Sequence, residues 1–376
     1  MNKNRIGLVL LMIMSINVYA DTLSEALGNS QFDGNIRVGY QNHETQGETK
    51  NEVAIGVKLH VETAAYYGLQ LGTTLFSSYG NGEEDFEGVP FFDENNNDYA
   101  IIAEVYLKGT FSNTTLILGR QTIDTPFADS DDIGMVPNTF EAYTLINKDI
   151  KDTTIFISQV QKMSGVDSES PSQFTSLNGS KGMQVLGLTY EGIEHTALVG
   201  WFYNVSGEGT ISYFEATYEN ETDAYNYGGV VQYVLQNYDR GEDSTIYGLA
   251  TSFGVKSVGL TTSISYNNTK GRAAENFFGG GPFVTNAEHN TLKEAGFDGN
   301  IILYTLEWDA SVVGVEGLIV RANVDAHHGE QYYAREYDVA VEYNYSDTMN
   351  ISAVYSNIDD RDESFKNLRI FANYSF

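Results

Sequence analysis

Gly119 to Ala142 reads GRQTIDTPFADSDDIGMVPNTFEA, between the runs Leu116-Ile117-Leu118 and Tyr143-Thr144-Leu145-Ile146. Pro126 and Pro137 lie inside it, and proline cannot donate to a strand ladder, so 122–140 is a loop. Such a length is unusual for a mere connection. The loop carries four carboxylates, Asp124, Asp129, Asp131 and Asp132, among apolar residues Ile123, Phe127, Ile133, Met135, Val136 and Phe140. Those apolar side chains argue against disorder, because they need a surface to bury on. Taken alone, the stretch also fits a solvated acidic loop.

The flanking chain decides what kind of surface is available. Past a short helical stretch at Asp21 to Ser30, apolar and polar residues alternate with period two. Ile36, Val38 and Tyr40 oppose Asn35, Arg37 and Gln41; Val53, Ile55, Val57, Leu59 and Val61 oppose Glu52, Lys58, His60 and Glu62. Val258, Leu260, Ile264, Val339 and Val341 fall on apolar faces, while Thr261, Ser263, Asp338 and Glu342 fall on polar ones. The runs last roughly nine to twelve residues, the length of a tilted membrane strand rather than of an ordinary soluble one. Tyrosines recur at run ends, as at Tyr79, Tyr190, Tyr218 and Tyr345, which suits interfacial girdles.

Eighteen runs can be marked: 33–42, 52–62, 68–79, 99–110, 114–121, 141–147, 152–162, 182–190, 194–205, 209–219, 223–237, 244–253, 257–267, 298–308, 316–326, 336–346, 349–357 and 367–376. Connections after odd-numbered runs are mostly long (43–51, 80–98, 122–140, 163–181, 268–297, 327–335, 358–365), and those after even-numbered runs are tight. All five prolines fall in the long connections. The chain thus reads as an all-β, transmembrane, antiparallel β-barrel with long outer loops and short periplasmic turns.

The chain has 376 residues, a formal charge of −30 and no cysteine. The charge argues against binding nucleic acid through a basic patch. The missing cysteine removes disulfides, zinc-thiolate sites and thiol nucleophiles. Residues 1–20 read as a cleaved signal peptide: Lys3 and Arg5, the apolar Ile6 to Ile16, then Val18-Tyr19-Ala20. Residues 21–376 then form a single barrel domain, with no later apolar run long enough for a membrane helix. No nucleophile elbow or zinc-type histidine spacing appears, so enzymatic activity is not expected. His327-His328 reads as a solvated pair and Gly279-Gly280-Gly281 as a flexible loop, and no cofactor is expected. Acidic stretches such as Glu83-Glu84-Asp85 and Asp359 to Glu363 suit either loose counterions or divalent cations.

The run Gly-Arg-Gln, Asp-Thr-Pro-Phe-Ala, Ser-Asp-Asp, Met-Val-Pro-Asn and Phe-Glu-Ala between Gly119 and Ala142 resembles the third-loop signature of OprD-type porins and related major outer-membrane porins. The resemblance implies an 18-stranded barrel, location in the outer membrane of a Gram-negative bacterium, and a third loop folded inward to narrow the pore. Contacts with outer-membrane lipid and lipopolysaccharide, and a homotrimer, go with such a barrel. The terminal run ending in Tyr374 and Phe376 resembles the assembly signal of outer-membrane barrels.

In a closed barrel Arg37, Lys58, Lys108, Arg321 and Arg369 face the lumen. Arg37, Lys58 and Arg369 belong to runs that closure makes neighbours, at similar expected height. Two arrangements remain open. The bases face the acids of the third loop across the aperture, or they pair with inward acids Glu104, Glu307, Asp325 and Glu342. The expected function is passive diffusion of small hydrophilic solutes and ions, weakly favouring cations. The alternative is an exported all-β adhesin or surface structural protein acting through its outer loops.

Overall fold

The alternating runs form one closed wall in the computed structural model, which describes residues 19–45, 47–82, 86, 88–177, 179–329, 334–360 and 364–376. The expected leader, apart from its last two residues, and the acidic stretches 83–85 and 361–363 lie outside the described residues. Among the described residues the wall has eighteen long strands: β1 Gln31–Thr45, β2 Glu48–Glu62, β3 Leu69–Asn81, β4 Tyr99–Phe111, β5 Thr114–Gln121, β6 Thr139–Asn147, β7 Thr153–Ser164, β8 Met183–Ile193 and β9 Thr196–Val205 come first. They are followed by β10 Gly209–Glu221, β11 Tyr225–Tyr238, β12 Ser244–Val255, β13 Leu260–Gly271, β14 Asn300–Asp309, β15 Leu318–His328, β16 Ala334–Ser346, β17 Met349–Asp360 and β18 Phe365–Ser375. Each pairs antiparallel with the next, and β18 returns to β1, so no edge is left open. The seam is finished by Gly34 and Phe376, whose main chains exchange hydrogen bonds of 2.9 and 3.0 Å.

At the periplasmic rim a short helix, α1 Leu23–Gly28, carries a capping box between Thr22 and Glu25. Several boundaries differ from the sequence expectation, three of them notably. The connection 43–51 is almost entirely strand, because β1 and β2 continue their ladder to Thr45 and Glu48 above the apolar belt. Val258 lies in a tight turn, Lys256–Val258, closed by Gly259 at φ +67, and β13 starts only at Leu260. The third loop ends at Asn138, since Thr139 and Phe140 already pair with β7.

The two faces of the wall behave as the alternation requires. Leu260, Ile264 and Val339 are exposed on the outside, while Val258, expected on the lipid face, is exposed in the turn before β13. Val341 lines an outer groove with Leu318, Tyr343 and Ile351. Ser263, Asp338 and Glu342 line a cavity inside. The lumen is not uniformly wet. On β6 to β10 most inward residues are themselves apolar, interrupted by buried Thr144, Ser158 and Glu215, and with Val234, Ile246 and Ile301 of later strands they form a core with Ile123, Phe127 and Ala128 of the third loop. A second cluster joins Ala54, Phe76 and Phe371 of the wall to Phe91, Phe92, Met135 and Val136 from loops.

Candidate functional site: the pore constriction

Loop 3 (122–138) crosses the barrel because its apolar residues find their burial on the inner wall. Phe127 is wholly buried. Tyr203, Tyr213, Phe277 and Phe283 surround it edge-on, with centroids 5.5 to 6.1 Å away. Burying such a ring contributes about 2–3 kcal/mol, which fixes the near half of the loop. At the far side Met135 and Val136 pack into the second cluster, beside Gly39 and Gly56 of β1 and β2. Between these anchors the segment 129–133 is suspended with its carboxylates toward the bore.

A second loop shares the task, and the sequence reading missed it. Loop 7 (272–299) lies alongside loop 3: Asp129 N donates to Phe278 O at 3.2 Å, and Phe278 N to Phe127 O at 3.3 Å. Gly279 sits at φ +107, where an added Cβ would lie 2.6 Å from Asp129 O and 2.7 Å from Asn138 Nδ2. The glycine run is therefore a packed crossing and not a free flexible tether. Gln232 Nε2 donates to Pro282 O at 2.9 Å. Glu336 accepts from the amides of His289 and Asn290 at 2.9 and 2.7 Å. The signal was present: Phe277, Phe278, Phe283 and Leu292 give loop 7 the same need for burial that was used for loop 3.

What remains open is a cavity of about 730 Å³ bounded by loop 3, loop 7 and the inner faces of β11 to β18 and β1. All four expected acids line it: Asp124, Asp129, Asp131 and Asp132. So do Arg37, Arg321 and Arg369, but not Lys58 or Lys108. Asp124 is turned partly inward on its own loop, accepting from Ser130 Oγ at 2.6 Å. Asp132 reaches across to β1, where Arg37 Nη1 and Nη2 donate to its two oxygens at 2.6 and 2.8 Å. Half of the Asp132 side chain stays accessible. Burial would raise its pKa, but the charge and hydrogen bonds of Arg37 outweigh that and hold it below the usual carboxylate range.

The two arrangements left open by the sequence both occur. Arg37 pairs across the aperture with loop 3, and Arg369 pairs with Glu288 of loop 7. Arg321 instead pairs with Glu307 on the neighbouring strand at 2.5 Å. Lys108 pairs with Glu62 at 2.8 Å, and Lys58 approaches Asp33 at 4.0 Å. The bases on the closing strands are not level. Register sets Arg369 beside Gln41, four positions outward of Arg37, and Lys58 beside Asn35, two positions inward. They form a stair along the wall, because register rather than distance from the strand end fixes height. His327 is fully buried in β15, 3.0 Å from Asp325, and is not a solvated loop residue. Among the described residues no group of three or more acidic, histidine or cysteine side chains is arranged to hold a metal ion.

A closed antiparallel barrel with an apolar outer belt and a lumen narrowed by inward loops defines a membrane-spanning diffusion channel. A sequence profile described as outer membrane porin, OprD family, matches residues 31–282. The chain therefore belongs to the OprD family: an outer-membrane protein of Gram-negative bacteria, and a channel rather than an enzyme. Among solved structures it is similar to Pseudomonas aeruginosa OpdK with vanillate, at 15% identity and a TM-score of 0.81, covering 93% of this chain and 99% of that one. Acinetobacter baumannii OccAB4 is similar at 15% identity and a TM-score of 0.80, over 93% and 98% of the two chains. Pseudomonas aeruginosa OccK9 (OpdG) is similar at 18% identity and a TM-score of 0.80, over 93% and 99%. A comparison with curated protein sequences gives no match.

Proposed function

We propose that this porin passes small hydrophilic solutes and ions passively and weakly prefers cations. The observation that carries this is the charge on the cavity wall. Asp124, Asp129, Asp131, Asp132, Glu288, Asp338 and Glu342 line it, against Arg37, Arg321 and Arg369. An aperture lined mainly by carboxylates concentrates cations and repels anions. Each of the three arginines already has a carboxylate partner, which blunts its pull on anions. A second reading, passage of small carboxylates along the arginines, draws on the same guanidinium groups and on the vanillate named with OpdK. The adhesin alternative is disfavoured because loops 3 and 7 spend their apolar residues inside the barrel.

To the same reading belong cleavage of residues 1–20, a role for Tyr374 and Phe376 in assembly, lipopolysaccharide around the outer rim, a homotrimer, and divalent cations at the acidic outer loops. The test is the reversal potential of single channels in a salt gradient. Asp129, Asp131 and Asp132 changed together to Asn should move it toward anions, and the shift should shrink near 1 M salt, where screening falls to about 3 Å. An unchanged reversal potential in the triple variant would overturn the assignment of loop 3 as the selectivity element.

A further inference from the structure

Loop 4 (165–182) meets the constriction where loops 3, 4 and 7 converge. Asn138, wholly buried, holds the junction. Its Nδ2 donates to Asp129 O at 3.1 Å and to Asp167 Oδ2 at 2.6 Å, and its Oδ1 accepts from Asp167 N at 3.1 Å. Asp131, at φ +31, turns its carboxylate into the same junction, where Gly280 N donates to it at 3.3 Å. Loop 7 contributes only backbone and glycine here, and an added Cβ at Gly279 would stand 3.3 Å from Asp167 Oδ2. Asp167 therefore faces the amide of Asn138 and the carboxylate of Asp131, with Asp129 next along loop 3.

Asp131 lines the cavity and Asp167 does not. We propose that Asp167 is a positioning residue that sets the charge Asp131 presents to permeating ions, by sharing a proton with it. Two carboxylates in contact cannot both ionise cheaply, so the pair carries one negative charge while the proton is shared and two once it leaves. Burial, and then the charge of Asp131, push Asp167 up to about 6. The group loses its proton as pH rises through that value, so the constriction gains one negative charge between about pH 5 and 7. The O–H···O contact across the two loops becomes a like-charge contact in the same step, which loosens loop 4 from loop 3.

This inference rests on the cation-selective reading above, and its test is separable from it. Reversal potentials are measured in a KCl gradient between pH 4.5 and 8 for the full-length channel, for Asp167→Asn, and for Asp131→Asn. The wild type should show a step of increasing cation preference centred near pH 6, beyond the ordinary carboxylate titration near 4. Asp167→Asn should remove the Asp167 contribution to that step, and Asp131→Asn should move it to lower pH, since burial still acts on Asp167 once the neighbouring charge is gone. His289 and carboxylates elsewhere are unaltered in both variants, so a step due to them would remain. Because the two variants sit on different loops, failure of one to assemble leaves the other as a complete test. A step that keeps its full size in Asp167→Asn or its midpoint in Asp131→Asn, or no step in the wild type, overturns the inference. The sign of selectivity at pH 7.5 is read from the same traces and tests only the earlier reading.

Discussion

Asp132→Asn isolates the link that ties loop 3 to the opposite wall. The wild-type contact is bidentate, with bonds of 2.6 and 2.8 Å to Arg37. A charge-assisted hydrogen bond contributes about 1.5–3 kcal/mol when well buried. Asp132 is half accessible, so solvent screening reduces the pair to about 1.5–2 kcal/mol in total. Since about 1.4 kcal/mol is tenfold, the ratio of docked to undocked segment should fall by about 10- to 30-fold. The loop should not leave altogether, because Arg37 also donates to Gly134 O at 2.6 Å and Met135 stays buried. In planar-bilayer recordings the variant should show open-channel noise and brief excursions to higher conductance absent from the wild type. Arg37→Ala should loosen the loop similarly but move selectivity the other way, toward cations, because it leaves the carboxylate and removes the base. Wild-type noise and conductance in both variants would refute the latch.

Three further outcomes follow from the same geometry. Val339→Arg, on the lipid face, should lower the unfolding free energy of the barrel in liposomes by about 2–4 kcal/mol in urea titrations, while Glu342→Gln in the lumen should change it far less; equal costs would show the faces are misassigned. Removing Phe376 deletes the two main-chain bonds with Gly34 that finish the seam, so the heat-modifiable folded fraction should drop after export, and a normal fraction would count against this. His289 is held down to about 4 by burial, with Arg369 and His43 adding to it and Glu288 opposing, against an ordinary value of 6.5. The unfolded loop then binds the proton first, so docking of loop 7 is at full strength above about 6.5 and weakens as pH falls toward 4. Protease accessibility of loop 7 should rise over that window in the wild type and stay flat in His289→Asn.

The strand ladder was legible in the sequence because period two is a local property: Ile36, Val38 and Tyr40 against Arg37 and Gln41 already state which side meets lipid. That loop 3 needs a surface to bury on was legible in Phe127, Met135 and Val136, apolar residues in a proline-bearing loop, but its inward course came only from its likeness to a known motif. The largely apolar inner wall from β6 to β10 was harder to read. There Val199, Trp201 and Tyr203 face in while Leu198 and Phe202 face out, so hydrophobicity no longer marks a side. Which base meets which acid was settled only by tertiary structure. Arg37 and Asp132 lie 95 residues apart, and Arg369 and Glu288 lie 81 apart. Those partners depend on barrel register and on where two loops dock. Both are sums of many contacts made after the wall closes, and no single stretch of the chain encodes them.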